Sequence, residues 1–357
     1  MSKKVLIRLT LALCLTAVLL AMPLMTACGQ PEPTPTPTTP TPTAEPTAEP
    51  KPVELPDRIA YTQSGKGKGT PLLSYIAEMV TKYTPMSAAL ETVTSPAQAL
   101  KLIIAGESQG AMYAVPSPIT ALTNEEKDQI RALYCGGGVR SATLYAVHTK
   151  PDAGIKTLAD LKGKDFYAEK PSITFFAPTV DAFLGANGVT RADLNWIQYD
   201  SGSDAFRDLK EGRVDALFYV AGSGSTEMGE STGMFVVPFD DAAIKAVEAL
   251  GYGLQGMEWP AGTFGNDTDT IVLGSPNVHW SSTAMSEDVA YAIVKAVYDN
   301  LKELQDSQVA GTGFTKENAL LQWDFAYHAG AVKYFKEAGM WTKEMDAKQD
   351  ALLKKYK

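Results

Sequence analysis

The stretch Gln63-Ser-Gly-Lys-Gly-Lys-Gly-Thr70 offers the densest set of unspent hydrogen-bond donors in the chain. It separates strand-like Arg58–Tyr61 from an amphipathic helix that Thr70 can cap and Pro71 can open. A glycine loop running into a helix N-terminus presents free amides and a positive dipole end to an anion, and Lys66 and Lys68 add charge. Ser64, Gly65, Lys66, Gly69 and Thr70 are therefore candidate contacts, with a solvated turn as the alternative. The order departs from the Gly-x-x-x-x-Gly-Lys-Ser/Thr of a nucleotide loop, so nucleotide binding is rejected. A second cation, Arg140, follows the glycine cluster Gly136–Gly138; its guanidinium fork matches a carboxylate, and a plain surface arginine is the alternative.

Neutral hydrogen bonds to a solute would come from turns at strand ends, namely Ser117, Ser172, Thr174, Gly222 and Ser223. Tyr134, Trp259 and Phe264 are candidates to line the same cleft. Phe175 and Phe176 either cover an apolar ligand face or pack beneath the helix that starts near Pro178. Catalysis has little to work with. His148, His279 and His328 lie far apart, and His-Glu-x-x-His and Cys-x-x-Cys do not occur. His148 ends an apolar run and reads as structural, as does His328, so no catalytic residue, cofactor or metal is expected.

These residues sit at the seams of an alternating pattern. Ser95-Pro96 opens a helix through Ala99, Leu100 and Ile103 that Gly106 ends, and strand Gly110–Val115 follows. Ser203 opens a second with Phe206 and Leu209, ended by Gly212 and followed by strand Val214–Val220. Small-residue turns at the carboxyl ends of such strands are where an open α/β sheet presents ligand loops. Ala132–Phe166 carries a strand, a short helix capped by Thr157, and a new strand from Asp165, which predicts a crossing between two units. Thr270–Leu273 predicts a return strand. Helices are predicted from Ser286 through Leu304, from Thr315 through Trp323, and over Ala329–Ala338.

The N-terminus predicts the compartment. Lys3, Lys4 and Arg8 precede apolar Leu9–Leu24, and Cys28 follows small residues, as in a lipoprotein signal; a cleaved soluble signal is the alternative. Lipid attachment, diacylglycerol with palmitate, is expected at Cys28. Residues 29–56 alternate Pro with Thr and Glu and cannot bury a core, so they read as an extended stalk. The formal charge of −9 becomes −12 without the three basic residues of the signal, which argues against nucleic acid as a partner. Of three cysteines, Cys14 and Cys28 belong to the leader, leaving Cys135 without an intrachain partner.

The segments ALYCGGGVRSATLYAVHTKPDAGIKTLADLKGKDF, DAFRDLKEGRVDALFYVAG, EWPAGTFGNDTDT and FAYHAGAVKYFKEAGM carry a family resemblance. In their order and spacing, Ile59 to about Trp341 resembles the TAXI family of solute-binding proteins, receptors of TRAP-type transporters. The resemblance implies an α/β fold of the periplasmic-binding-protein type II class, with two lobes, each a sheet flanked by helices, and a ligand cleft between them. The return of the chain after residue 260 places 57–148 with 261–357 in one lobe and 149–260 in the other. The resemblance also implies a monomer, held outside the cytoplasm by its anchor, that captures a small organic acid and hands it to a TRAP-type permease. A surface receptor that presents its ligand to a signalling partner remains open, as does, less favoured, an extracytoplasmic enzyme. Two turns depart from the family pattern: Ser64–Thr70 lacks the family's tyrosine pair, and Ser172-Ile-Thr-Phe-Phe176 replaces a Gly-Ser-Gly-Thr turn. The second change is what admits an apolar ligand body.

Overall fold

The structure, a computed structural model, describes residues 55–64, 69–221, 231–263 and 265–357; the leader, Cys28 and the stalk lie outside them. These residues belong to one unit, Pro52–Lys357. Within it the chain builds two hydrophobic cores, each around its own strands.

In the first, β1 (Arg58–Ser64) and β2 (Ser87–Val93) pair in parallel, from Arg58 with Ser87 to Ser64 with Val93. β3 (Ala111–Ala114) and β4 (Ile130–Gly136) flank the last strand of the chain, Asn277–Ser282, both antiparallel to it. Helix Gly69–Tyr83 covers this side because Leu72, Leu73, Ile76, Met79 and Val80 recur at helical spacing and are buried. Each such side chain contributes roughly 1.5–3 kcal/mol. Ser95 caps helix Pro96–Ile104 by accepting the Gln98 N–H, and Gly106, at φ 76°, supplies the left-handed turn beyond it.

The second core centres on β5 (Thr143–Thr149). β6 (Asp165–Glu169), β7 (Asn195–Gln198), β8 (Ala216–Ala221), β9 (Phe235–Val237), β10 (Gln255–Trp259) and β11 (Thr270–Ser275) complete its sheet, in the order β10-β11-β5-β8-β6-β7 with β9 also on β5. Helices Phe176–Ala186, Gly202–Lys210 and Asp241–Glu248 bury Phe176, Phe183, Phe206, Leu209 and Val247 in this core. β12 (Asn277–Ser282) then returns the chain to the first sheet. The architecture is the expected two-lobed α/β arrangement of sheets flanked by helices.

The two cores part at Gly137–Ala142 and at Pro276. Pairing decides this: β5 bonds β8, β9 and β11 along its edges, so 143–148 and 270–275 pack with the second core. The sequence reading had placed both segments in the first lobe. Two helices also differ. Residues 316–320 form turns and 321–323 no regular structure, and the Ala319 carbonyl accepts the Cys135 N–H of β4. The run from Ser286 breaks at Asp299-Asn300 into Glu287–Tyr298 and Leu301–Ser307, where Asn300 Nδ2 takes the Ala296 carbonyl.

Candidate functional site

At the end of β1, Ser64 donates its N–H to Tyr113 Oη at 2.6 Å, and the Gln63 carboxamide bonds the Met112 N–H and C=O at 3.3 and 3.1 Å. The amide expected to await an anion is thus spent on β3. Burial raises the Tyr113 phenol, which keeps it neutral and able to accept. Sequence reasoning missed Tyr113; its place in Ala-Met-Tyr-Ala, directly before Pro116-Ser-Pro118, was the signal available. Gly69 and Thr70 open the following helix, and Ser117 lies in the short helix Pro116–Ile119. Gly65, Lys66, Lys68, Gly222, Ser223 and Phe264 lie outside the described residues.

Arg140 is exposed, in the four-residue helix Gly138–Ser141 that carries the chain from one core to the other. Ser141 Oγ donates to the Ala310 carbonyl, Gly137 donates to Gly313 O at 3.0 Å, and Gln308 Nε2 donates to Pro71 O at 2.9 Å. The segment 308–313 therefore braces the helix bearing Arg140 and also the first turn of Gly69–Tyr83. Two basic features distant in sequence share one support, which sequence reasoning had not identified. The neighbouring glycines serve packing: a side chain at Gly136 would strike the Phe314 ring, and one at Gly137 would strike Leu321. The close approach that these two glycines permit is thus made by the protein itself.

Across from the Pro116–Ile119 turn, Ser172 and Thr174 are exposed on the turn after β6, and Thr174 Oγ1 donates to Thr120 Oγ1 at 3.2 Å. The aromatic residues expected to line the cleft do not present their rings to solvent. Phe175 and Phe176 are buried against Tyr145 at 5.4 and 6.0 Å, and Phe176 meets Phe218 at 4.9 Å. Helix Phe176–Ala186 must bury its first turn on the sheet, so of the two readings the packing one holds. Trp259 is buried, with Nε1 donating to Thr263 O at 2.8 Å. Tyr134 sits in the first core, its Oη 2.7 Å from His279 Nδ1.

Two of the segments that carry the resemblance hold the scaffold together. Asn266 of the Pro-Ala-Gly-Thr-Phe-Gly-Asn stretch bonds the backbone of Val236. His328 accepts the Gly330 N–H at Nδ1 and donates from Nε2 to Met285 O, capping helix Ala329–Glu337. Gly330 lies against the Glu287 backbone, where no side chain fits. Burial pushes His148 and His279 down to about 3, leaving both uncharged at neutral pH, and pushes the Cys135 thiol up to about 11. Among the described residues no group of three or more His, Cys, Asp or Glu could hold a metal ion, and no helix is long and apolar enough to cross a membrane.

Residues 69–339 match the model of the NMT1-like family. Solved structures similar to this chain include the periplasmic aliphatic sulphonate binding protein SsuA from Escherichia coli, at 13% identity, TM-score 0.47, over 85% of this chain and 87% of that one. The GlnP substrate binding domain 2 of Lactococcus lactis is 10% identical, TM-score 0.45, over 73% and 97%. The L-cystine solute receptor of Neisseria gonorrhoeae is 12% identical, TM-score 0.43, over 74% and 95%.

Proposed function

The chain belongs to the NMT1-like family, and we propose that it is an extracytoplasmic solute-binding receptor that takes up a small organic acid between its two lobes. The observation that carries this reading is the division into two hydrophobic cores joined by the crossings at Gly137–Ala142 and Pro276, an arrangement suited to hinge closure on a ligand. Arg140, exposed on one of those crossings, is the cation assigned to the ligand's carboxylate. Ser172 supplies a neutral hydrogen bond, Thr174 keeps lone pairs to accept one, and the helix N-terminus at Gly69 offers a favourable dipole. With Phe175, Phe176 and Trp259 buried, the argument for an apolar ligand body loses its support, and a polar acid such as an amino acid or dicarboxylate is the better fit.

In this reading the mature protein is tethered through a lipid on Cys28 and delivers its solute to a TRAP-type permease, as the resemblance to the TAXI family implies. Two variants test it. Arg140→Ala should weaken a confirmed acid ligand at least tenfold, about 1.4 kcal/mol, and an unchanged affinity removes the residue from the site. Cys28→Ala should leave the protein unprocessed or released from membranes. Identical detergent partitioning of variant and parent, with no diacylglycerol by mass on either, refutes the anchor.

A further inference from the structure

We propose that Thr174 and Thr120 form a latch between the lobes at the mouth of the cleft. Thr174 belongs to the second lobe, one residue before buried Phe175. Thr120 belongs to the first, between buried Ile119 and the Leu122 turn. Their hydroxyls are 3.2 Å apart. The direction of the bond is fixed, because Thr120 Oγ1 also donates to Pro116 O at 3.2 Å and has one proton to give. Thr174 therefore supplies the proton between them, and Thr120 passes the restraint to Pro116, which opens the turn holding Ser117.

Both ends of this relay are anchored. Phe175 and Phe176 pin the Thr174 turn into the second core, and that turn is closed by Ile173 N–H to Lys170 O at 2.7 Å and Phe176 N–H to Ile173 O at 3.0 Å. Ile119 and Leu122 pin Thr120. The same face is in van der Waals contact a few residues away, where a Cβ at Gly253 of the second lobe would stand 2.5 Å from Val115 Cβ of the first. Val115 itself donates its N–H to Ser275 Oγ at 3.1 Å, next to the return crossing. A hydrogen bond between two rigid turns, added to the contacts at Val115, biases the lobes toward the approached state before any solute arrives. The latch rests on the solute-binding reading for its purpose, and it deepens that reading: it assigns Thr174 and Thr120 the setting of the binding-competent fraction, on which apparent affinity depends.

The test needs no solute. Spin labels are carried on genetically encoded, non-cysteine handles at exposed Glu107 in the first lobe and Lys156 in the second, in the full chain, and the distance between them is measured. Thr174→Val should add or enlarge a longer-distance population, Thr120→Val should do the same from the opposite lobe, and Thr174→Ser should keep the parent distribution. For an exposed hydrogen bond the closed-to-open ratio should fall by roughly two- to tenfold. Distributions for Thr174→Val and Thr120→Val that match the parent overturn the latch. A shift in both valine variants with no solute ever found to bind sustains the latch while the solute reading fails. A confirmed solute with no shift leaves that reading standing and removes the latch.

Discussion

Asn266 bonds both backbone groups of Val236, accepting its N–H at 3.0 Å and donating to its carbonyl at 3.1 Å. One carboxamide thereby replaces the neighbour that β9 would otherwise need, and a third bond, to Thr270 Oγ1 at 3.0 Å, ties the staple to β11. Asn266→Ala should destabilise the protein by about 2 kcal/mol, since two partly buried bonds to backbone are lost and their partners left unpaired. Denaturant melts check this, and a midpoint unchanged from the parent would show the loop to be held by other contacts.

Acid should destabilise the fold through its buried histidines. In the folded protein His148 and His279 sit near 3, against about 6.5 when unfolded, so the unfolded chain binds more protons between those values. Their contribution is fully present above about pH 6.5 and is lost as pH falls from there toward 3. Each should cost about 2 kcal/mol between pH 7 and pH 5. Urea melts at the two pH values give the slope; stability that rises on acidification through this window contradicts the assignment.

Cys135 should be inert in the native protein. It is fully buried, its thiol is pushed up to about 11, and Sγ lies 3.2 Å from the carbonyls of Asn318 and Ala319. A maleimide should label it in denaturant and not in buffer, with labelling in buffer indicating local opening of the 314–323 segment.

A methyl at Gly136 should be costly although the residue lies in an ordinary strand. The added carbon would meet the Phe314 ring, so Gly136→Ala should lose about 1–3 kcal/mol of stability in thermal melts. Gly136→Ala with Phe314→Leu should recover part of that loss, whereas additive losses would place the clash elsewhere.

Much of the scaffold was legible in sequence because its signals are local. Ser95, Ser286 and Thr157 cap where their spacing to apolar residues predicted, and Leu72, Ile76 and Val80 face inward as helical periodicity requires. What could not be read depends on partners distant along the chain. Nothing near Thr315 signals that Ala319 would give its carbonyl to Cys135, and nothing near Gly136 names Phe314 as the group approaching it. The aromatic residues show the same limit. Phe175 and Phe176 have the same composition whether they line a cleft or seal a helix, and only the placement of Tyr145 and Phe218 separates the two. Arg140 was legible as a free cation at a crossing, while its bracing through residues 308–313 was not.

The most direct measurement of the central claim is a thermal-shift titration of the full chain against glutamate, 2-oxoglutarate, branched-chain keto acids, phenylacetate and phenylpyruvate, with neutral sugars and amines alongside. At least one carboxylate should raise the melting point in a concentration-dependent way, reaching about 2.7 kcal/mol of stabilisation at a hundredfold excess over its dissociation constant. A shift produced only by the sugars or amines, with every carboxylate silent, would contradict the account.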